Sequence, residues 1–429
     1  MFRLILFLFG VMIQTIIILF YVGLIAYCIH RLPLFAINGL SKKCILSLFL
    51  LKIGAGLIYV YFSTHIIKAG DILLYYSDSQ LIYAHLRHGD ILAFLQLSIG
   101  LNNVPITENI ASTVEAMGYW RDTSAYMVVR FNALANVLTL GSGIYANAVF
   151  FALISFFGSF LFAKVLVKKL QAKTSVLLAV FLTPSIWYWT AGSHKESLCV
   201  ALVACILYSL LYLVHVKKVI AIILALASFV LLFYTRFFIA VMLVPSLMAY
   251  YIYHKKRTWH PLLVFMSVFI VLGGLSYLTP KILGISNLVD AVIAKKQLYE
   301  ALDNGNTAIE LGIYEESYLG ILVNAPQALF NAIVRPHFLD IHSLFLGLAS
   351  LESLWITVLL VTGLFYVKNC SWDQQAIVFL LLTFGMTYLL LTGLIVPNLG
   401  AILRYRSVAL FFLVPCLVYL WTRKDDLIA

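Results

Sequence analysis

Stretches of roughly 18 to 25 apolar residues recur from one end of the chain to the other, and each is long enough to cross a bilayer. The pattern predicts about eleven membrane helices. The first runs from about Leu4 to Cys28 and the second from about Cys44 to Ile67. A third spans about Asn147–Val167, and five follow near Ser175–Trp189, Leu198–Val214, Val219–Thr235, Phe237–Tyr253 and Leu262–Leu278. The last three lie near Leu344–Val367, Ala376–Val396 and Ser407–Trp421. Two gaps, residues 68–146 and 279–343, are too long to be connectors. The first apolar run exceeds a signal-peptide core and lacks a small-residue cleavage site, so it is kept as a helix.

Charge then gives the pattern a direction. Hydrophobic residues make up 63% of 429 positions and charged residues 11%, with a net charge of +11. Lys and Arg collect in alternate gaps: Lys42/Lys43, Lys164/Lys168/Lys169/Lys173, Lys217/Lys218, Lys255/Lys256/Arg257, Lys368 and Arg423/Lys424. Almost all Asp and Glu occupy the other gaps. Basic loops stay cytoplasmic, so the acidic gaps face outward, with the N-terminus outside and the C-terminus inside. The expected fold is an all-α polytopic membrane protein. It forms one integral domain over residues 1–429, with two long extracytoplasmic segments containing interfacial helices. The basic clusters then serve topology and anionic headgroups. No basic stripe lies on a soluble domain, which argues against nucleic acid as a partner. The cysteines, Cys28, Cys44, Cys199, Cys205, Cys370 and Cys416, fall in helices or at cytoplasmic ends. They offer neither a disulfide framework nor a CxxC metal pattern. No Gly-rich phosphate loop is present, so nucleotide-driven transport is not expected.

The candidates for chemistry face outward. The first long segment opens Gly70-Asp71-Ile72-Leu73-Leu74-Tyr75-Tyr76-Ser77-Asp78. From Asp78 onward Leu81, Ile82, Ala84 and Leu86 recur at helical spacing, which predicts a short interfacial helix with Asp78 in its first turn. Ser77 or Asp78 could simply cap that helix. The short loop Trp187-Tyr188-Trp189-Thr190-Ala191-Gly192-Ser193-His194-Lys195-Glu196-Ser197 precedes a helix whose N-terminus faces outward. Ser193 and Glu196 have capping-box spacing, which makes Glu196 structural. His194 and Lys195 then sit at the positive end of a helix dipole, where an anion is favoured. Lys195 could instead be a snorkelling anchor. Trp187 and Trp189 suit an interfacial belt or stacking on a sugar.

Three further basic sites share that side: Arg236 in a very short turn, Arg335-Pro336-His337 at the end of the second segment, and Arg404-Tyr405-Arg406 opening the last helix. Arginine's planar fork suits phosphate oxygens, so Arg236, Arg335, His337, Arg404 and Arg406 join His194 and Lys195 as candidate phosphate ligands. The second segment also holds amphipathic stretches near Asn287–Leu302 and Ser317–Val334, which could roof a cavity. A loop at Asp303–Asn306 could act as a lid, and Glu315-Glu316 suits a solvated pair.

The run from Asp78 through Tyr83, Ala84, Leu86 and Gly89, just after an early membrane helix, resembles the first outer loop of GT-C-type glycosyltransferases. Arg130-Phe131-Asn132-Ala133-Leu134, Leu140-Gly141 and Ser155–Leu161 extend the likeness over about Asp71 to Leu170. An extra helix precedes the loop here, and the adjacent acidic pair seen in some members is absent. The resemblance implies a bacterial inner-membrane enzyme that takes sugars from polyprenyl-phosphate or -pyrophosphate carriers at the periplasmic face. The acceptor would be a glycan, lipid or protein. Asp78 would be the catalytic acid, with Asp122 or Asp71 as a second. Such transfer needs a base for the acceptor proton. Asp78 with a second carboxylate could also hold a divalent cation, Mg or Mn, against the departing phosphate. A second likeness, carried by Pro184-Ser185, Trp189, Gly192, Lys195-Glu196-Ser197, Arg335-Pro336 and Arg404-Tyr405-Arg406, is to bacterial repeat-unit polysaccharide polymerases. A lipid-linked-sugar flippase is the rival of another class. It predicts broken helices and polar groups at the midplane, whereas helix interiors here are nearly free of charge.

Overall fold

The computed structural model describes residues 2–68, 70–100, 106–256, 259–283, 287–301, 307–311 and 317–423. Among these the chain is helical, and β-pairing is limited to isolated bridges. The helices, in chain order, are α1 (Phe2–Arg31), α2 (Lys42–Tyr61), α3 (Asp71–Arg87), α4 (Ile91–Ile99), α5 (Glu108–Ala116), α6 (Thr123–Leu138), α7 (Ile144–Leu170), α8 (Thr174–Leu182) and α9 (Pro184–Trp189). They continue with α10 (Lys195–Leu211), α11 (Lys218–Thr235), α12 (Phe237–Lys255), α13 (Pro261–Leu283), α14 (Leu288–Glu300), α15 (Tyr318–Ile333), α16 (Leu344–Leu364), α17 (Trp372–Ile395) and α18 (Leu399–Thr422). Among the described residues, ten are long and apolar enough to cross a membrane: α1, α2, α7, α10, α11, α12, α13, α16, α17 and α18. The chain is therefore an all-α polytopic membrane protein.

Three boundaries differ from the sequence expectation. The helix expected over Ser175–Trp189 is broken in two. Pro184 lacks an N–H and crowds the residue before it, so Thr183 turns extended, with φ −58 and ψ 123. Pro184 then opens α9 at a position where no N–H is needed. The last helix starts at Leu399, where Asn398 caps it by accepting from the Ala401 N–H. Arg404 and Arg406 therefore lie within that helix rather than before it. In the first segment α3 begins at Asp71, directly after Gly70, whose φ of 119 only glycine adopts at low cost. Asp78 is thus two turns inside the helix, not in its first turn, and caps nothing.

The chain packs as two compact units. The first comprises Met1–Val165 with Trp187–Phe237, and the second Leu166–Ile186 with Phe238–Ala429. In the first unit the short helices α3, α4, α5 and α6 pack together, and α6 also meets α11, which pairs with α10. None of the four is long enough to cross: α3, the longest at 17 residues, covers about 26 Å. Alone they could not bury an apolar face. Together they enclose Tyr75, Ile82, Phe94, Leu97, Ile110, Val114 and Tyr126, joined by Phe151 of α7 and Leu198 of α10. The second unit is built on α17 and α18, with α8, α13, α14, α15 and α16 packed around them. Residues such as Val219, Ile223, Leu226 and Val230 of α11 remain exposed in the protein alone, as a lipid-facing stripe would.

The helix interiors are less free of charge than expected. Lys52 of α2, Glu352 of α16 and Arg406 of α18 are all buried inside candidate membrane spans.

Candidate functional site

In the first unit α3 carries Asp71, Asp78 and His85 at intervals of seven, two helical turns each, so the three share one face. That stripe pins the segment after it. Asp78 is 1% exposed, and its two carboxylate oxygens accept the backbone N–H groups of Gly118, at 3.2 Å, and Tyr119, at 2.9 Å. Asp71 Oδ1 accepts the Tyr119 hydroxyl at 3.0 Å, and the Tyr75 and Tyr119 rings lie 4.8 Å apart. His85 Nε2 shares a hydrogen with Thr113 Oγ1 of α5 at 2.8 Å. Backbone N–H bonds to a carboxylate are strong because one partner is ionised. Asp78 is therefore engaged as a brace for the 117–122 turn. Each of its oxygens holds one amide donor in this arrangement. Among the described residues no group of three or more His, Cys, Asp or Glu gathers to hold a cation.

The turn that Asp78 braces presents Asp122. Asp122 Oδ1 caps α6 by accepting the Ala125 N–H at 3.0 Å, while Oδ2 lies 4.0 Å from Lys195 Nζ at the start of α10. The Asp122 side chain is 53% exposed, the most open acid of this cluster. Ser124 Oγ donates to the Thr235 carbonyl at 2.6 Å and so ties the start of α6 to the end of α11. Arg236 follows and binds Glu196 Oε1 at 2.7 Å, and Glu196 Oε2 lies 3.2 Å from His194 Nδ1. The expected Ser193/Glu196 capping box does not form: Ser193 Oγ is buried without a hydrogen-bond partner and His194 takes the N-cap position. The guanidinium outcompetes a neutral amide for the Glu196 carboxylate. Of the sequence candidates, Asp122, His194, Lys195 and Arg236 are brought together here, with Asp71 and Asp78 behind them.

Helix α2 packs against the 187–194 turn that leads into α10. Lys52 Nζ donates to Thr190 Oγ1 at 2.6 Å, and Trp187 Nε1 donates to the Leu51 carbonyl at 3.0 Å. The Tyr59 ring packs 4.3 Å from the His194 ring. A Cβ on Gly56 would lie 2.9 Å from the Ala191 carbonyl oxygen, so only glycine permits this approach. Positions 52, 56 and 59 share a helix face. Lys52 was missed from sequence, although a lone cation inside an apolar run is itself a signal.

In the second unit the remaining candidates separate into two arrangements. Arg335 forks onto Asp340, with Nε to Oδ2 at 3.1 Å and a terminal nitrogen to Oδ1 at 2.6 Å. His337 lies beside it, with Nδ1 3.3 Å from Asp340 Oδ2 and its backbone N–H donated to the same oxygen. Burial pushes the Asp340 carboxyl up, but the Arg335 fork and the His337 N–H outweigh it and hold the group below the usual carboxylate range. Arg406 is fully buried. It donates to the carbonyls of Arg335 at 2.8 Å and Ala332 at 3.3 Å and to Ser353 Oγ at 2.9 Å, and it lies 3.8 Å from Glu352 Oε2. Glu352 Oε1 in turn accepts the Ser185 N–H of α9 at 2.9 Å. Arg406, expected as a phosphate ligand, thus closes the α15–α16–α18 packing from a fully buried position. Arg335 is likewise committed to a carboxylate. Arg404 differs, since it is half-buried and lies over the Tyr405 ring, 5.0 Å from its centroid. The expected lid at Asp303–Asn306 and the Glu315-Glu316 pair lie outside the described residues. Comparison with family models, curated proteins and solved structures finds no match to this chain.

Proposed function

We propose that this chain is a membrane glycosyltransferase of the bacterial inner membrane. It moves a sugar from a polyprenyl-phosphate or -pyrophosphate donor to an acceptor hydroxyl at the periplasmic face, in cell-envelope glycan assembly. The observation that carries this reading is the Asp122–Lys195 pair: an open carboxylate oxygen 4.0 Å from a cation at the N-terminus of a 17-residue helix. Asp122 Oδ2 takes the acceptor proton. The acceptor oxygen bonds to the anomeric carbon while that carbon's bond to the phosphate oxygen breaks, and the phosphate leaves with the electron pair. Lys195 and the amide donors of α10 meet the charge that develops. Glu196 holds Arg236 and His194 around them. Asp78 is a positioning residue, acting through the turn that carries Asp122. The same centre would serve a repeat-unit polymerase if the acceptor were also lipid-linked.

Transfer of labelled sugar from a polyprenyl-linked donor to a glycan acceptor, by protein in nanodiscs, tests the reading. Asp122→Asn should lower transfer by about 10²–10⁴-fold with the thermal midpoint unchanged. Undiminished transfer by that variant removes Asp122 from the reaction. A second reading, a lipid-linked-sugar flippase, draws on the α8/α9 break and on Glu352 and Arg406 buried beside it. It predicts donor crossing the bilayer with its sugar still attached, and that crossing should survive Asp122→Asn.

A further inference from the structure

We propose that the α6–α7 hairpin of the first unit is re-entrant: its turn, residues 138–143, lies inside the hydrocarbon layer and presents Leu134, Leu138 and Leu140 to lipid acyl chains. The sequence expectation placed these residues in the first extracytoplasmic segment. The inference does not rest on the transferase reading. Depth is read from α1, a candidate membrane span that ends at Arg31. Two cations mark its basic end: Lys42 Nζ donates to the His30 carbonyl at 2.6 Å and Lys164 Nζ to the Leu34 carbonyl at 2.8 Å. From Arg31 back to Tyr21 the helix rises about 15 Å, and long side chains in helices lean further toward the N-terminus. The Tyr21 hydroxyl donates to the Leu138 carbonyl at 2.7 Å. That carbonyl therefore sits about 20 Å from the basic boundary, within a hydrocarbon layer about 30 Å thick. A Cβ on Gly143 would strike the Gln14 side chain, and Gln14 lies about 26 Å from Arg31 along α1. Helix α7 agrees: Phe151, about 20 Å along the helix from Lys164, joins the core to which α6 contributes Tyr126 and Ala133.

Three features fit lipid rather than water around this turn. No charged residue occurs between Arg130 and Lys164, a stretch that covers the end of α6, the turn and most of α7. Leu140 is 70% exposed and has φ 54. In water a Gly or Asn there would suit both the left-handed backbone and the solvent. The polar groups of the hairpin are also satisfied from within. Asn147 Nδ2 donates to Asn136 Oδ1 at 2.8 Å, Asn136 Nδ2 donates to Ser79 Oγ of α3 at 3.0 Å, and the Gly141 N–H donates to the Asn136 carbonyl at 2.7 Å. Ser79, Asn132, Asn136 and Asn147 are all fully buried. Non-helical backbone at membrane depth is tolerated only with such internal closure. Outside the closure, Leu134, Leu138 and Leu140 are exposed, and the Tyr21 bond makes them continuous with the exposed Phe20 and Leu24 of α1.

The test uses full-length protein in phosphatidylcholine nanodiscs. A photoreactive benzophenone amino acid is placed at Leu138, at Leu140 or at Ser112, the last on the α5 face shared with the exposed Glu108 and Glu115. After irradiation, mass spectrometry should find lipid acyl adducts at Leu138 and Leu140 in several-fold excess over Ser112. In parallel, Leu140→Asn should lower the thermal midpoint by a few degrees, because an amide replaces an alkyl group in hydrocarbon. A turn in water gives the opposite sign, since Asn relieves the left-handed backbone at no solvation cost. Adducts at Leu138 and Leu140 that are absent or no more abundant than at Ser112 would overturn re-entry. So would a midpoint that holds or rises in Leu140→Asn. Either result leaves the Asp122–Lys195 centre untouched, since neither variant touches it.

Discussion

Asp78 shows how a residue's type can be legible while its task is not. An acid near the start of the first long segment is visible in sequence, and so is its helix. What is not visible is that its two oxygens meet amide donors some forty positions later in the chain, at Gly118 and Tyr119. Asp122, by contrast, sits where both a cap and an open oxygen are available. Asp78→Asn replaces one acceptor oxygen with an NH₂ that faces an N–H. It should cost about 1.5–3 kcal/mol locally, seen as faster amide exchange at Gly118 and Tyr119 and a lower kcat with KM for donor little changed. Unchanged exchange there with activity abolished would return Asp78 to the chemistry itself. Asp340 gives a pH prediction. Its carboxyl is held low in the folded protein, so the unfolded chain binds more protons as pH falls. The stabilisation is present above the ordinary carboxylate value of about 3.9 and is lost as pH drops through the folded value. Thermal midpoints should therefore fall more steeply in acid for the wild type than for Asp340→Asn.

At the scale of elements, apolar run length located every long helix, because that signal is local and repeated along the whole run. Punctuation was harder. Thr183–Pro184 breaks one expected helix, and Asn398 starts another early enough to draw Arg404 and Arg406 inside it. Both signals occupy one or two residues and were outweighed by hydropathy. The α2 clamp on the 187–194 turn was invisible, since nothing in α2 itself says what its Gly56 approaches. Gly56→Ala should force that turn away from the Ala191 carbonyl, costing about 1–3 kcal/mol of stability. It should also lower transfer, though the residue touches no reactant. A Gly56→Ala protein with wild-type midpoint and rate would show that the close approach does not position the site.

For the whole molecule, the proposed orientation rests on the sorting of charge between gaps, and no distance within the protein substitutes for it. Class and helix layout followed from composition and pattern. The division into two units did not, because it depends on which helices touch. The most direct measurement of the central claim is sugar transfer in sealed, right-side-out membrane vesicles supplied with a labelled polyprenyl-linked donor and a membrane-impermeant acceptor. The predicted result is transfer by wild-type protein and its near-complete loss with Asp122→Asn. Transfer confined to inverted vesicles, or undiminished in Asp122→Asn, would contradict it.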